Sequence, residues 1–342
     1  AEIAPGRVVI DWTPGDIATV TAAPLLAALL RDRAGFRHVR AGAELLVSLA
    51  ADAATRTLVA GGGSFPALGL RPGDQISLEG EGPNCGINLT VATVAETVLG
   101  IVEPIADMAP ATDLVLVAGD LDGPALVRLA EDCAQPLGLW LGEESPTGRD
   151  LVDRVLAGIG GWVDVTPAGL VTFGRYAGPA TIADHALDGR HLLAPPRRVA
   201  AGPALWRRRI GARRCWRVHG PGEVAAAAGE PARGFLAQEW REGVAEAPDA
   251  RIADLGAEEA FAESPLDRRE DAAAEAARQL ALMSPDRLAF EVDATLAALP
   301  WRLGATVALS APAAGLPAAR RLTVVARSVR LADDRITLTL LG

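Results

Sequence analysis

Apolar residues recur at every second position in this chain, in short runs that glycine and proline keep interrupting. In "LRPGDQISLEG" and "GINLTVATVAETVLG" that spacing falls on Ile76 and Leu78, then on Leu89 and Val91. It is the period of a strand with one buried face. Pro72 and Gly73 take the central positions of a type II turn, where glycine supplies the positive φ. Residues 42–106 therefore read as a small antiparallel β module with hairpins. The chain closes in the same way, since "RRLTVVARSVRLADDRITLTLLG" gives two alternating strands joined at "ADD". With 36 glycines and 24 prolines in 342 residues, such runs stay short.

Helical spacing appears between them. "APLLAALLRDR" carries leucines at 25, 26, 29 and 30. Residues 113–176 read as helix, strand, helix and hairpin. Asp122 is the expected N-cap of the first helix, with Pro124 in its first turn. "PLGLWLG" is a short strand, and Thr147 with Asp150 makes a capping-box variant ahead of the second helix. "WVDVTPAGLVTFGRY" alternates on both sides of "PAG", a hairpin. A longer helix is expected over 264–283, capped by Ser264, with Pro265 first and Asp267, Glu270 and Asp271 near its positive end.

The fold class that follows is α+β, β-rich and multidomain. It comprises an N-terminal extension with a helix (1–41) and a first β-barrel-like module (42–112). An α/β module (113–195) comes next, then a second β module with the long helix and the terminal hairpin (196–342).

One stretch stands apart in a chain of net charge −10: "LWRRRIGARRCWRVHG", residues 205–220. Read as an extended strand, it puts Trp206, Ile210, Trp216 and Val218 on one face. Arg207, Arg209, Arg213 and Arg217 fall on the other, so it is a strand with a basic face rather than a disordered arm. All 33 basic residues are arginine. The acidic balance argues against general polyanion binding but leaves a local basic strip open. Cys85, Cys133 and Cys215 are odd in number and widely spaced, which points to free or buried thiols. No charged segment precedes an apolar run near residue 1, and the longest apolar stretch, 22–30, is too short to span a bilayer. A soluble, cytoplasm-made protein without a membrane anchor is expected.

Catalytic signals are sparse. His185 with His191 and Cys215 with His219 could pair as zinc ligands, but no paired C-x₂-C is present. Asp120, Asp122 and Glu131 faintly imitate a calcium loop, and helix capping by Asp122 explains the same residues. Gly61–Gly63 lacks the Gly-Lys-Ser/Thr of a phosphate loop. No nucleophile elbow, zinc-protease helix or dinucleotide fingerprint occurs. No catalytic residue, metal or cofactor is expected.

Taken in order, several stretches resemble the tail-hub (tail-tip) proteins of long-tailed bacteriophages and gene transfer agents. "PTGRDLVDRVLAGIGGWVDVTPAGLVTFGRY" is similar to that family's helix and hairpin. Gly211-Ala212-Arg213-Arg214-Cys215-Trp216-Arg217 stands where members often read Gly-Tyr-Arg-Arg-Asn-Trp-Thr; the glycine, both arginines and the tryptophan match. "REDAAAEAARQLALMSPDRLAFEV" and the run from "RLGATVALSAP" to the final strand resemble its closing module. The resemblance covers roughly residues 113–342. It implies a structural, non-enzymatic virion protein made in the host cytoplasm and carried in the tail. Such a hub is a homotrimer facing a hexameric distal tail ring. It contacts the tape-measure protein, anchors a central fibre or receptor-binding proteins, and closes or lines a tube through which DNA passes. Arg207, Arg209, Arg213 and Arg217 would then meet an acidic neighbour or line the channel. Two other classes stay open: a tail-associated cell-wall-degrading or glycan-binding module, which needs two facing carboxylates, and a nucleic-acid-binding protein using the arginine strand.

Overall fold

The computed structural model describes residues 21–342 apart from 140–145, 216, 221–222, 225–228, 284–286 and 313–315. Helix α1 (Ala22–Ala34) comes first, and Leu25, Leu26, Leu29 and Leu30 are all buried, as their spacing requires. The chain then runs through β1 (His38–Ala41), the short α2 (Ala43–Leu46), β2 (Leu49–Asp52), β3 (Thr57–Ala60) and β4 (Gln75–Glu79). It continues through β5 (Asn88–Val94), β6 (Val98–Ile101), β7 (Met108–Ala111) and β8 (Val115–Gly119).

These eight strands form one antiparallel sheet in the order β1-β8-β4-β5-β6-β3-β2-β7. Strand β5 pairs with β4 through its first residues and with β6 through its last. Leu58, Phe65, Ile76, Leu89, Leu99 and Leu116 fill the shared core. The end strands β1 and β7 do not pair with each other, so the sheet is open rather than a closed barrel. It takes in strands on either side of residues 42–112. Gly73 has φ 92 between Arg71 and Asp74, and the Asp74 N–H donates to the Arg71 carbonyl at 3.1 Å, the type II turn read from Pro72-Gly73.

Helices α3 (Gly123–Asp132) and α4 (Gly148–Gly158) and the hairpin of β9 (Gly161–Val165) and β10 (Val171–Arg175) follow. Asp122 caps α3 by accepting from the Ala125 N–H, and Thr147 with Asp150 forms the capping box of α4. Helix α1 packs against both, and its leucines join Leu129, Leu151, Val155 and Phe173 in one core. The segment placed within an N-terminal extension is thus part of the middle module's interior. Of the strand expected over 136–142, the described residues show one bridge, Leu137 to Leu266; 140–142 lie outside them.

The rest of the chain builds two sheets. In one, β13 (Leu205–Ala212) runs between β14 (Arg241–Glu246), antiparallel to it, and β15 (Glu258–Glu263), parallel to it. Helices α5 (Glu230–Leu236) and α6 (Pro248–Ala253) precede and follow β14. The other is six-stranded, in the order β11-β17-β18-β19-β16-β12. Its members are β11 (His185–Leu187), β12 (Arg197–Val199), β16 (Ala289–Thr295), β17 (Thr306–Ala311), β18 (Leu316–Arg330) and β19 (Arg335–Leu341). Strands β18 and β19 are the expected terminal hairpin.

Helix α7 (Arg269–Leu282) packs on β13 and β14. It begins five residues later than Ser264, the expected cap. The backbone of 264–267 is taken by a distant partner instead. Gly138 N–H donates to the Pro265 carbonyl at 2.6 Å, Asp267 N–H donates to the Pro136 carbonyl at 3.1 Å, and Ser264 Oγ donates to the Gly211 carbonyl at 2.7 Å. A helical Ser264–Asp267 would forfeit all three. Gly243 on β14 lets α7 approach, because a Cβ there would lie 2.1 Å from the Ala273 nitrogen and 2.3 Å from the Ala272 carbonyl carbon.

Two buried carboxylates tie these parts together. Asp122 is fully buried; its Oδ1 accepts from Asn88 Nδ2 at 3.1 Å and the Ala125 N–H at 3.2 Å. Its Oδ2 accepts from Thr172 Oγ1 at 2.9 Å and Arg302 Nη1 at 3.2 Å. Glu275 of α7 accepts from Arg175, from Arg278 Nη2 at 2.6 Å and from Gln279 Nε2 at 2.6 Å.

Asp122→Ala strands the donors of Asn88, Thr172 and Arg302 and removes a cap, so a loss of about 3 kcal/mol is expected in urea unfolding. A loss under ~1 kcal/mol would show that the carboxylate does not hold the modules together. Gly243→Ala is expected to cost about 3 kcal/mol by pushing α7 off the sheet, again read by urea unfolding.

Candidate functional site

The arginine stretch is a strand only as far as Ala212. Within it the alternation holds. Ile210 and Ala212 are fully buried on the core side, and Arg208 Nε donates to Gln279 Oε1 of α7 at 2.9 Å. Arg207 and Arg209 project to the opposite, outer face with about a third of each side chain exposed.

That outer face is not basic. Arg209 lies between two carboxylates: Nη2 and Nε reach Glu242 at 2.6 and 2.7 Å, and Nη1 reaches Glu259 at 2.8 Å. Arg207 pairs with Glu246 at 3.0 Å and with Glu259 at 3.3 Å. Arg214, just past the strand, meets Glu239 at 2.6 Å and Glu263 at 3.7 Å. Three arginines thus face five glutamates, leaving an excess of two negative charges. Such a surface repels phosphate, and the reading of β13 as a nucleic-acid strip loses its physical basis.

Register explains why the glutamates arrive there. Arg207 stands opposite Glu246 on β14 and Glu259 on β15, so charges of opposite sign meet directly across the sheet. Trp240 packs over Gly211 and meets Phe261 edge-on, with ring centroids 6.1 Å apart. The Arg209 guanidinium lies 5.6 Å from the Phe261 ring and that of Arg214 lies 5.1 Å from Trp240. Phe261 is itself exposed. Aromatic rings framed by arginines are the composition of protein–protein contact surfaces.

Arg213 and Arg217 are elsewhere. Arg213 turns into the left-handed region at φ 46 while its N–H donates to the Leu266 carbonyl at 2.9 Å. Parity then fails: Cys215 is buried while Arg217, two residues on, is exposed. Arg213 lies 5.4 Å from the Phe235 ring, away from the glutamates. Trp216, expected on the apolar face, falls outside the described residues. The structure therefore brings together two of the four expected interface arginines, and adds Arg214, Trp240, Phe261 and five glutamates. No residue within the strand points to them, because every acidic partner lies 25 or more positions away.

The other candidates are engaged in other contacts. His185 stacks on Trp301 at 4.9 Å, and His191 approaches the same ring at 5.8 Å while its Nδ1 lies 3.1 Å from Asp188. Cys215 Sγ donates to the Arg217 carbonyl, and His219 pairs with Glu223 at 3.7 Å. Among the described residues no three histidine, cysteine or acidic side chains gather as metal ligands. Asp120 accepts from the Arg37 N–H and Asp122 from the groups already named, so no calcium loop forms. The Gly61 and Gly62 N–H groups donate to the Ser48 and Leu46 carbonyls and are not free to hold a phosphate. No helix of the described residues is long and apolar enough to cross a membrane.

Hydrogen bonds from Arg209 hold the Glu242 and Glu259 carboxyls below their ordinary value of 4.5, and both carboxylates push the Arg209 pKa upward. For carboxyls held low, the added stability is present above pH 4.5 and is lost as pH falls through the folded-state values. Glu242→Gln with Glu259→Gln is expected to lower stability at neutral pH and to flatten the acid limb of a stepwise acid titration followed by circular dichroism. An acid limb as steep as the parent's would dismiss these pairs as contributors.

No protein-family model and no curated protein matches the chain. Solved structures are similar to it only weakly. A 43 kDa tail protein of prophage MuSo2 from Shewanella oneidensis is 12% identical, over 90% of this chain and 94% of that one, with a TM-score of 0.34. A tail protein from Neisseria meningitidis MC58 is 12% identical, over 90% and 96%, with a TM-score of 0.37. Prophage tail protein gp18 from Listeria monocytogenes EGD-e is 10% identical, over 86% and 94%, with a TM-score of 0.29. At such scores the likeness establishes neither family nor role.

Proposed function

We propose that the chain is a structural protein of a bacteriophage or gene-transfer-agent tail, the hub at its tip, acting by assembly rather than catalysis. The observation that carries this reading is the order of folded parts beneath the sequence resemblance. A capped helix and hairpin (α4, β9, β10) lead to a strand that ends in Gly211 and Ala212. Helix α7 and an antiparallel module follow, and that module closes on Thr337-Leu338-Thr339-Leu340-Leu341-Gly342. The helix with its hairpin, helix α7 and the terminal hairpin come in the order that the resemblance gives them.

On this reading the hub is a homotrimer. Its subunits meet a hexameric distal tail ring, contact the tape-measure protein and hold a central fibre or receptor-binding proteins at the end of a DNA-conducting tube. The end strands β1 and β7 of the first sheet, and β11 and β12 of the last, keep one side unpaired within their sheets. Closed assembly is a standard means of covering such edges. The outer face of β13, acidic and aromatic, suits a protein neighbour with a basic surface rather than DNA.

Absolute mass in solution, by light scattering or native mass spectrometry, tests the reading with the chain alone and mixed with its neighbouring tail-ring protein. A trimer, or a complex of three chains with six ring subunits, is expected. A strict monomer that ignores the ring would sink it.

A further inference from the structure

Four histidines stand in the chain, and three of them have a neighbour that suits an imidazolium. His191 lies 3.1 Å from Asp188, His219 pairs with Glu223 at 3.7 Å, and His185 stacks on the Trp301 ring at 4.9 Å. His38 differs. Its Nδ1 is buried without a hydrogen-bond partner, alone among the histidine nitrogens of the described residues.

The place it occupies is a seam, where α1, part of the middle module's core, hands over to the first sheet. His38 begins the edge strand β1 and stands opposite Gly119 of β8. The two backbones touch there: a Cβ on Gly119 would lie 2.2 Å from the Arg37 carbonyl oxygen and 3.2 Å from the His38 nitrogen. Asp120 closes the seam. Its Oδ2 accepts from the Arg37 N–H at 2.6 Å, and its own N–H donates to the Arg37 carbonyl at 2.9 Å. The Arg37 guanidinium reaches Asp74 at 3.0 Å and the Gly69 carbonyl at 3.2 Å.

Charge works against a proton on the His38 ring. Arg40 on its own strand and Arg31 on α1 oppose one, and Glu79 on β4 favours one. Strand β8 carries no titratable residue. Arg31 is itself paired with Asp32 at 2.7 Å, and both oxygens of Glu79 are taken by the Arg40 guanidinium at 2.6 Å. Burial first, and then Arg40, hold the His38 pKa below its ordinary 6.5. A neutral ring in this place loses only the hydration of one nitrogen. A charged ring buries an N–H that has no acceptor, a larger cost.

We propose that His38 is an acid-released catch, whose protonation opens the β1–β8 seam between α1 and the first sheet. A base held below its ordinary pKa adds stability that is complete above pH 6.5 and is lost as pH falls through the folded-state value. The carboxyls bound by Arg209 lose theirs only below pH 4.5, so the two windows are separate. The seam lies within one chain, and the device stands independently of the tail reading.

Hydrogen exchange of the full chain, followed by mass spectrometry at about pH 7.5 and about pH 5 and corrected for intrinsic exchange, reads the seam directly. The amides of β1 and β8 are expected to lose protection by about threefold or more at the lower pH, while those of β5 and β6 in the same sheet keep theirs. His38→Phe keeps a ring of similar shape without a titrating nitrogen and is expected to abolish the loss. An unchanged parent, or an equal loss in the variant, overturns the proposal. Should the phenylalanine variant fail to fold, an NMR titration of the parent decides instead. A His38 ring that titrates below 6.5 together with shifts in β1 and β8 supports the catch, and one that titrates at 6.5 or above, or without those shifts, overturns it.

Discussion

A single carboxylate sets the arrangement of the modules. Asp122 is fully buried, and an ion in that position persists only when each of its lone pairs is answered. Its four donors come from four places: Asn88 on β5, the first turn of α3, Thr172 on β10, and Arg302 just before β17. The first sheet, the middle module and the last sheet therefore meet at one charge. Glu275 repeats the device between α7 and the β10 end of the hairpin. There Arg175 also donates to the Asp132 carbonyl at 2.7 Å, and Arg278 to the Ile159 carbonyl at 3.1 Å. A polar junction of this kind fixes orientation more sharply than apolar packing, which tolerates sliding.

What could be read in the sequence is what closes over a few residues. The capping box of Thr147 and Asp150, the Asp122 cap, the turn at Gly73 and the hairpins of β9–β10 and β18–β19 have partners near in the chain, and all were legible. The failures share the opposite cause. Ser264 and Pro265 carry the composition of a helix start. Yet Pro136 and Gly138, more than 120 positions earlier, take their backbone into an extended contact, and α7 waits until Arg269. Helix α1 gave no sign of its destination, because alanine and leucine on all sides suit an appendage and a core equally well. Of the candidate interface, Arg207 and Arg209 were legible as one face of a strand. Their neutralisation was not, since Glu242, Glu246 and Glu259 are brought in only by sheet register.

The absence of lysine gives that register its effect. A guanidinium presents a planar fork of donors, so Arg209 binds Glu242 through two nitrogens and still reaches Glu259 with a third. An ammonium would serve the same carboxylates as a mobile point charge. The arginine-rich strand is in this sense a lattice within an acidic chain, and its charge is spent inside the subunit. What remains at the surface is shape: Phe261, Trp240 and the rigid ion pairs between them.

Rigidity within the chain and incompleteness at its surface are two sides of one design. Buried ion clusters hold three sheets at fixed angles, while the sheets keep unpaired edges and α6 holds two aliphatic side chains in water. Unpaired edges and exposed aliphatics favour aggregation unless something covers them. A component of a closed assembly gains both. Its partners supply the missing strands and apolar contacts, and the fixed internal angles make every copy present them in the same geometry.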